Sequence, residues 1–554
     1  MSSKEFNLLR EPWIRVMKPD GAADEISMPE LFRGAHTRRR LAGELPTQDF
    51  AVLRLLLAVL HAVFSRYDES GREDEIFLQN DGQADSQGKK ELLRRWQTLW
   101  ERGSFPAEVI ERYLTEYEER FWLFHPQTPF YQAGQLAVGT DYSAAKLNGE
   151  LSESGNKVRL FAGRSGNAKS TLDFAEAARW LLCVNGYDDT SSKPKGKGPS
   201  GEKLPSCGAG WLGQLGLIAA EGRNLFETLM LNFVILPDGG SEALWDEAYP
   251  VWEREPKADE RTPIPVPNNQ AELLTLQSRR LLLRREDDKV TGYTLLGGDF
   301  FPKENAFVEQ MTVWRSHAEK GKAPEFKPRR HDPAKQLWRD YSSLTAQGQD
   351  RHQPGVITWL CMLRDKHILQ QKQFRFIIAA MNYGDKDFFV DDTFADSITF
   401  NADLLTELSE GWNARIIDEL DTTEQLVYQV GRLAQSLALA AGIHDNKEYS
   451  GSKQRDAAKE QAYYRLDVPF RRWLESIDPA ADGMDAKCAE WWDIAKKIVR
   501  ALGKELAAQC GSQAFVGRNN YSAPQAYNIF LYKTTNRQTL AAKTKGVKNN
   551  GTKE

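Results

Sequence analysis

The chain has 554 residues, of which 41% are apolar and 27% charged, and its formal net charge is −5. This composition excludes a disordered chain, and at roughly 150 residues per domain the length predicts two to four domains. The negative charge excludes a uniformly basic protein that coats nucleic acid, but it does not exclude local basic surfaces, because binding depends on where the charge lies.

Five cysteines lie far apart, at positions 183, 207, 361, 488 and 510. No two of them form a C-x-x-C pair, so we expect neither a zinc site nor a disulfide framework, as is usual in a reducing compartment. The N-terminus has no apolar signal core, and the longest apolar run, residues 55–64, is shorter than the roughly 20 residues that span a bilayer. We therefore expect a cytoplasmic protein.

The first part of the chain predicts one short strand and two helices. Residues 6–16 read as a strand with a turn, and Leu45–Pro46 precedes a strongly apolar helix over 51–64. A second helix is predicted over about 89–120. Aromatic residues at helical spacing predict that this helix has a packed face: Trp96, Trp100, Tyr113 and Tyr117.

Two segments of the middle region, residues 133–170 and 190–210, are rich in Gly, Ser and Lys and are predicted as long loops. Long loops without structure of their own are usually functional or disordered. A helix is predicted between them, over 170–184. Apolar runs at 229–236 and 273–283 are predicted as strands.

The last 140 or so residues read as helices. Thr422–Gln425 resembles a capping box, and Gly442 follows a run of apolar residues at helical spacing. Further helical patterns cover 453–475, 484–510 and 521–543, and four helices with short connections predict an up-and-down bundle. We therefore predict an α+β fold, with a large mixed domain over 1–410 and a C-terminal four-helix bundle over 411–554.

One segment resembles a phosphate-binding P-loop, whose consensus is G-x-x-x-x-G-K-[ST]. Residues 163–170 follow an apolar stretch and precede a predicted helix, but Ala168 occupies the position of the second glycine. A carboxylate for Mg²⁺ after a strand is also missing, since Pro237 follows the apolar run before Asp238. A basic Gly/Ser-rich loop is the competing interpretation, and nucleotide hydrolysis stays as an alternative function.

Metal and nucleophile motifs are weak in this sequence. The dipeptides His331–Asp332 and His444–Asp445 lack the further ligands that a metal phosphohydrolase needs, and a capped turn explains the first of them. No H-E-x-x-H, G-x-S-x-G or dinucleotide fingerprint occurs. We therefore expect no catalytic residues, no metal and no cofactor.

Basic residues concentrate in a few places. The loop at 190–210 sets lysines among Gly, Ser and Pro, a composition that suits close approach to a phosphate backbone or, equally, a solvated linker: Lys193, Lys195, Lys197 and Lys203. Other clusters are each typical of a solvated face when taken alone: Arg38–Arg40, Arg279–Arg280, Arg284–Arg285 and Lys327–His331.

Taken together, several segments resemble a known family, and the resemblance runs along essentially the whole chain. Their order and spacing carry it: Phe6–Val16, Leu45–Pro46, Phe124–Gln132, Gly210–Gly213, Leu229–Phe233, Met311–Trp314, Arg329–Pro333 and Gly411–Trp412. The sequence resembles the large, CasA-like subunit of Cascade, the type I-E CRISPR surveillance complex.

The resemblance implies an α+β domain followed by a four-helix bundle. It implies a non-catalytic subunit that recognises the protospacer-adjacent motif (PAM) of target double-stranded DNA and helps to open the duplex for an R-loop in antiviral defence. The implied partners are the other Cascade subunits, the crRNA, target DNA and a separate helicase–nuclease, and no membrane. In such effectors guide pairing reads the sequence while protein reads the short PAM.

The resemblance also implies positions for the contacts. The minor-groove glycine loop and lysine finger correspond to the following residues: Lys193, Lys195, Gly196, Lys197, Gly198, Lys303 and Asn305. The wedge corresponds to Gly384, Asp385, Lys386, Asp387 and Phe388, and the loop that docks on crRNA and neighbouring subunits to Phe161, Ala162, Gly163 and Arg164.

Two departures from the family pattern bear on these positions. The wedge of the family often carries glutamine where this chain has acidic residues and a lysine, and the docking loop often reads Phe-Val-Asn-Gln. An ordinary acidic turn is therefore the alternative interpretation of 384–388. A purely structural scaffold, whose basic loops bind partner proteins, is the third functional hypothesis.

Overall fold

The computed structural model describes residues 4–73, 86–153, 157–158, 164–191, 193–196, 198, 200–235, 249–264, 267, 269–317, 324–345, 351–406, 409–443, 451–518 and 521–541. The chain divides into two compact units. The first comprises Met1–Lys335, Ala346–Gln370 and Phe374–Ser397, and the second comprises Gln336–Thr345, Gln371–Gln373 and Ile398–Glu554. The sequence analysis placed a domain boundary near residue 411, and that boundary remains a prediction.

Helices predominate in the described residues: α1 (Met28–Gly34), α2 (Pro46–Phe64), α3 (Ser86–Arg102), α4 (Ala107–Glu116), α5 (Ala144–Leu147), α6 (Phe174–Tyr187), α7 (Leu225–Asn232), α8 (Gln270–Leu274), α9 (Ser342–Thr345), α10 (Gly355–Asp365), α11 (Glu410–Ala440), α12 (Ser452–Glu475), α13 (Met484–Ala508), α14 (Ser512–Val516), α15 (Ala523–Lys533) and α16 (Arg537–Ala541).

Most of the strands are short: β1 (Glu5–Asn7), β2 (Ile14–Met17), β3 (Ala23–Ile26), β4 (Arg40–Leu41), β5 (Trp122–Phe124), β6 (Thr140–Ser143), β7 (Leu151–Glu153), β8 (Lys157–Val158), β9 (Ile218–Glu221), β10 (Arg279–Glu286), β11 (Lys289–Gly297), β12 (Trp314–His317), β13 (Glu325–Pro328), β14 (Gln373–Tyr383) and β15 (Val390–Asn401).

Helix α2 forms the centre of the first unit. It begins with Pro46, whose fixed φ and missing N–H suit the first helical turn. Every residue from Phe50 to Phe64 is buried. The helix is long and apolar enough to cross a membrane, but 94% of its most apolar window is buried within the protein. A helix that is apolar on all sides is typical of a core helix, and α6, α7 and α8 pack against this one.

The strands of the first unit form small, mainly antiparallel sheets. Within the described residues, the three-stranded sheets have the orders β3-β2-β4, β10-β11-β6 and β15-β14-β9, and β1-β5, β7-β8 and β12-β13 form pairs. Strand β14 pairs antiparallel with β9, with Phe376 opposite Ala220. Because β14 and β15 form a hairpin, this sheet carries the turn at 384–389.

The second unit is a helical bundle in which α11 packs against α12, α13 and α15. Aromatic rings from two helices fill its core, with Trp491 edge-on to Phe470 at 4.9 Å between ring centroids. The indole N–H of Trp491 donates to Thr423 Oγ1 at 2.9 Å. The predicted fold class, an α+β region followed by a C-terminal helical bundle, is confirmed.

Several predicted elements differ from the observed ones. The strand predicted at 229–236 is wrong in its described part, 229–235, because Asn224 caps a helix, α7, whose eight residues are all buried. A fully buried segment has no polar face, so periodicity cannot separate a helix from a strand there. The run at 273–283 divides between α8 and β10, and the helix predicted over 89–120 divides into α3 and α4 at residues 103–106.

The predicted capping box at Thr422–Gln425 is also wrong, because these residues lie in the middle of α11. Thr423 instead donates its hydroxyl to the carbonyl of Glu419, one turn back in the same helix. The helices predicted over 453–475 and 484–510 are confirmed, and α11 ends just before Gly442 as predicted. The pattern at 521–543 contains two helices, α15 and α16.

A buried ion pair in the first unit yields a stability prediction. Arg54 donates two hydrogen bonds to Glu309, at 2.8 and 2.9 Å, and both side chains are almost fully buried. We expect Arg54→Met to destabilise the protein by about 3–5 kcal/mol, because it leaves a buried carboxylate without its counter-charge.

Thermal unfolding measures this effect. Adding Glu309→Gln to Arg54→Met should recover part of the loss, because no buried charge remains and the amide oxygen can still accept from Trp211 Nε1, whereas the N–H of Met311 loses its acceptor. Arg33→Met, which removes a surface pair with Glu111, is the control and should cost less than about 1 kcal/mol. Equal losses in Arg54→Met and Arg33→Met would contradict the prediction.

Candidate nucleic-acid interface

The loop between α6 and Trp211 is closed by a buried arginine at its base. Arg279, from β10, forms an ion pair with Asp188 and donates to the carbonyls of Asp189 and Gly208, at 3.1 and 2.6 Å. These acceptors lie at the two ends of the loop, so one guanidinium holds both ends together. The solvated face predicted for Arg279–Arg280 is therefore wrong, since both residues are buried.

The loop lysines have different environments. Lys193 contributes to the base, because its ammonium lies 2.9 Å from Asp188 and its side chain is 2% exposed. Burial alone would raise the pKa of Asp188, but Arg279 and Lys193 hold that pKa below its ordinary value. Lys193 thus orders the loop in this structure, whereas Lys195 and Lys203 are exposed. Lys197 lies outside the described residues.

The loop packs against the segment that leads from β11 to Lys303. The N–H of Gly297 donates to the carbonyl of Pro194 at 3.3 Å. Gly196 lies against Arg261, so close that a Cβ at this position would be 3.1 Å from that side chain. Gly198 is buried and its N–H donates to Glu202 O at 3.3 Å. The described part of the loop is thus packed, although it contains no helix or strand.

Lys303 is exposed, and no described residue forms a salt bridge with it. Its segment is held in place two residues later, where Asn305 pairs with Phe326 of β13 through two 2.7 Å hydrogen bonds. Asn305 has a φ of +52°, a conformation that asparagine tolerates better than most residues. The side-chain oxygen of Asn305 therefore accepts a hydrogen bond within the protein, and the backbone that carries Lys303 is held in place.

The hairpin tip between β14 and β15 has an unusual backbone. Lys386 and Asp387 both adopt left-handed conformations, with φ of +53° and +60°. Each such non-glycine residue costs about 1–2 kcal/mol, so neighbouring contacts must hold the tip in this shape. Gly384 has a negative φ and is needed for a different reason: a Cβ there would lie 2.1 Å from the ring of Phe389.

Two contacts from elsewhere in the first unit hold the tip. Thr190, in the lysine-bearing loop, donates its N–H to the carbonyl of Asp387 and its hydroxyl to the carbonyl of Lys386, both at 2.8 Å. Arg330 donates two hydrogen bonds to the Asp387 carboxylate, at 2.8 and 2.9 Å. The exposed groups of the tip are then Asp385, Lys386 and Phe388, the last 44% exposed.

Tyr383 anchors the base of the tip. Its hydroxyl donates to the carbonyl of Tyr187 at 2.6 Å, and the guanidinium of Arg330 lies over its ring at 4.8 Å. Burial raises the pKa of Tyr383 far above its ordinary value, so it remains a neutral donor. Gly213 makes room for this contact, because a Cβ there would lie 2.0 Å from the tyrosine oxygen.

Of the predicted docking loop, Phe161, Ala162 and Gly163 lie outside the described residues. Arg164 is described, and its side chain is 14% exposed. It donates to Glu44 and, at 3.0 Å, to Glu176 of α6. Arg164 thus fixes the end of this segment to the body of the first unit.

The described part of the P-loop-like segment lacks the geometry of a phosphate cradle. A P-loop leads directly into a helix whose N-terminal N–H groups face the phosphates. Here α6 begins four residues after Ser170, and the Asp173 carboxylate already caps it by accepting from the N–H of Glu176 at 2.7 Å. In the described residues, no group of three or more His, Cys, Asp or Glu side chains is placed to hold a metal.

Sequence reasoning did not single out the residues that join these segments. Arg330 appeared only within the basic cluster at 327–331, and Arg279 only within a dipeptide. Thr190 gave no signal, because its role depends on which segment lies beside it in the fold. His331, from the first His-Asp dipeptide, is buried. Its Nε2 lies 3.0 Å from the carbonyl oxygen of Leu217, a contact within the protein.

Comparison with known proteins gives consistent results. The family described as CRISPR-associated protein Cse1 matches residues 7–502. CasA/Cse1 of Thermus thermophilus is 30% identical over 351 residues, which span 62% of this chain and 61% of the length of that relative. The crystal structure of Thermobifida fusca Cse1 has a TM-score of 0.80 at 29% identity, and the match covers 97% of this chain and 99% of that one.

A more distant structure has the same fold. A chain in the structure of a CRISPR RNA-guided surveillance complex gives a TM-score of 0.61 at 16% identity, covering 91% of this chain and all of that one. The family match extends over most of the sequence and agrees with the resemblance found in its motifs. The chain belongs to the CRISPR-associated Cse1 family.

Proposed function

We propose that the protein is the non-catalytic large subunit of a type I-E CRISPR surveillance complex, which recognises the PAM in target double-stranded DNA and helps to open the duplex for R-loop formation. Its partners are the other complex subunits, the crRNA, target DNA and a helicase–nuclease that it recruits in antiviral defence. It works in the cytoplasm without a cofactor. Family membership and the likeness to a chain of a surveillance complex support this role.

One observation carries the proposal beyond family membership. The lysine-bearing loop is bonded directly to the hairpin tip through Thr190, and it is packed against the segment that leads to Lys303 through Gly297. The loop thus contacts both the hairpin tip and the segment that leads to Lys303, and each of these three segments carries an exposed cation: Lys195, Lys303 and Lys386. Cations on a fixed backbone suit the phosphates and the minor-groove edges of a duplex.

Uncompensated acidic residues at the tip would oppose DNA binding, because carboxylates repel a phosphate backbone. Arg330 compensates for one of them, since it pairs with both oxygens of Asp387. The exposed tip then carries Asp385 and Lys386, whose charges cancel, beside the ring of Phe388. Such a tip can approach the duplex and stack its ring on an exposed base.

Lys303 provides the first test. Lys303→Ala should weaken binding of the assembled complex to PAM-containing duplex by about 1–3 kcal/mol, the usual contribution of a base-edge contact. Binding to a duplex without PAM should change far less. Titration of both duplexes measures the difference, with Lys366→Ala, an exposed lysine at the end of α10, as the matched control. Equal weakening on both duplexes would exclude a PAM-reading role for Lys303.

The loop lysines provide the second test, which depends on salt. Replacing both Lys195 and Lys203 by alanine should lower affinity for all duplexes and reduce the slope of log K against log salt by about 1.8, or about 0.9 for each lost phosphate contact. Lys366→Ala, at the exposed lysine that ends α10, is the control and should leave the slope unchanged. An unchanged slope in the double variant would rule out phosphate contacts by these two lysines.

Phe388 provides the third test, on duplex opening. Phe388→Ala should slow R-loop formation on intact duplex, because stacking on an exposed base contributes about 1–3 kcal/mol. A bubble melted in advance beside the PAM should restore the rate. Phe515→Ala, which removes an exposed aromatic ring of the helical unit, is the control. A defect of the same size on both substrates would favour the ordinary acidic turn over the wedge.

A further inference from the structure

The hydroxyl and the N–H of one residue, Thr190, join the loop to the hairpin tip. We propose that Thr190 is a positioning residue that couples the two, so that duplex DNA held by the loop sets the conformation of the tip. This inference rests on the proposed function, because it assumes that both segments meet DNA. It assigns to Thr190 a role in duplex opening that involves no contact with DNA.

On the loop side, Thr190 is fixed by its neighbours. Asp188 and Asp189 precede it, and each is paired with a buried or half-buried cation: Asp188 with Arg279, and Asp189 with Lys146 at 2.7 Å. Three residues later, Lys193 donates back to the carbonyl of Asp189 at 2.7 Å. Thr190 therefore cannot move by itself, and a shift of the loop base moves it as well.

On the tip side, Thr190 bonds to the two residues with left-handed backbones. Its hydroxyl donates to the carbonyl of Lys386, and its N–H donates to the carbonyl of Asp387. These carbonyls belong to the peptide units whose orientation defines the unusual turn. The two bonds together therefore favour this turn over the conformations that Lys386 and Asp387 would adopt alone.

Arg330 holds the same tip independently of Thr190. A loss of coupling through Thr190 can therefore be distinguished from a loss of the folded tip. It binds the side chain of Asp387 and lies over Tyr383, so it fixes the tip to the body of the unit. Thr190 alone, among the described residues of the loop, bonds to the turn backbone. Loss of the Thr190 hydroxyl should leave the tip anchored by Arg330 but less responsive to the loop.

The experiment uses the assembled complex and two substitutions of the same residue. Thr190→Val keeps the branched shape and removes the hydroxyl donor, whereas Thr190→Ser keeps the donor. Thr115→Val is the matched control, because among the described residues the Thr115 hydroxyl bonds to the carbonyl of Glu111 in its own helix and to no other group. Three quantities are measured for each variant: affinity for PAM duplex, the rate of R-loop formation on intact duplex, and the same rate on DNA with a bubble beside the PAM.

We expect Thr190→Val to slow R-loop formation on intact duplex about three- to tenfold, as the loss of one hydrogen bond implies, with affinity for PAM duplex unchanged. The bubble should restore the rate, and Thr190→Ser and Thr115→Val should behave as wild type. An unchanged rate on intact duplex would overturn the inference. Equal slowing on both substrates would also overturn it, because a folding defect does not distinguish between them.

The wild-type complex separates this inference from the proposed function. If wild type shows no preference for PAM duplex, the proposed function fails and the inference fails with it. If wild type prefers PAM duplex and responds to the bubble while Thr190→Val matches it throughout, only the coupling through Thr190 is wrong.

Discussion

The candidate interface depends on one buried guanidinium, that of Arg279. A loop of about twenty residues has many conformations, and closing its ends costs entropy. Arg279 fixes the two ends by bonding to Asp188 and Gly208. With its ends fixed, the loop places Thr190 beside the tip and Pro194 against β11, and it leaves Lys195 in solvent.

A buried charge stabilises a structure only where its hydrogen-bonding groups are satisfied. The donors of Arg279 meet this condition, since besides Asp188 they reach the carbonyls of Ser278, Asp189 and Gly208. The hairpin tip follows a related principle. Its left-handed residues would not keep that conformation alone, and contacts from Thr190 and Arg330 hold them there. At both places, local conformations that are unfavourable by themselves are maintained by contacts between distant segments.

Elements whose signal lies within the element itself could be predicted from the sequence, and contacts between distant segments could not. The helices over 453–475 and 484–510 were predictable, because apolar residues recur at helical spacing along each of them, on both sides of Pro469 in the first. The segment at 229–236 was not, because a helix buried on all sides lacks the polar face that reveals its period. Exposure of Lys195, Lys303 and Phe388 agrees with their predicted roles, which themselves remain predictions. The contacts of Thr190, Arg330 and Arg279 could not be predicted, since each joins residues between about 60 and 200 positions apart.

If the protein binds duplex DNA as proposed, the pairing of Arg330 with Asp387 affects how the complex searches for its target. An uncompensated arginine at the tip would attract any duplex over a Debye length of about 8 Å and would prolong every encounter, whatever the sequence. Because its charge is matched within the protein, the tip adds little to this indiscriminate attraction. We therefore expect short dwell times on most sites, so that the complex can sample many sequences before a productive one retains it.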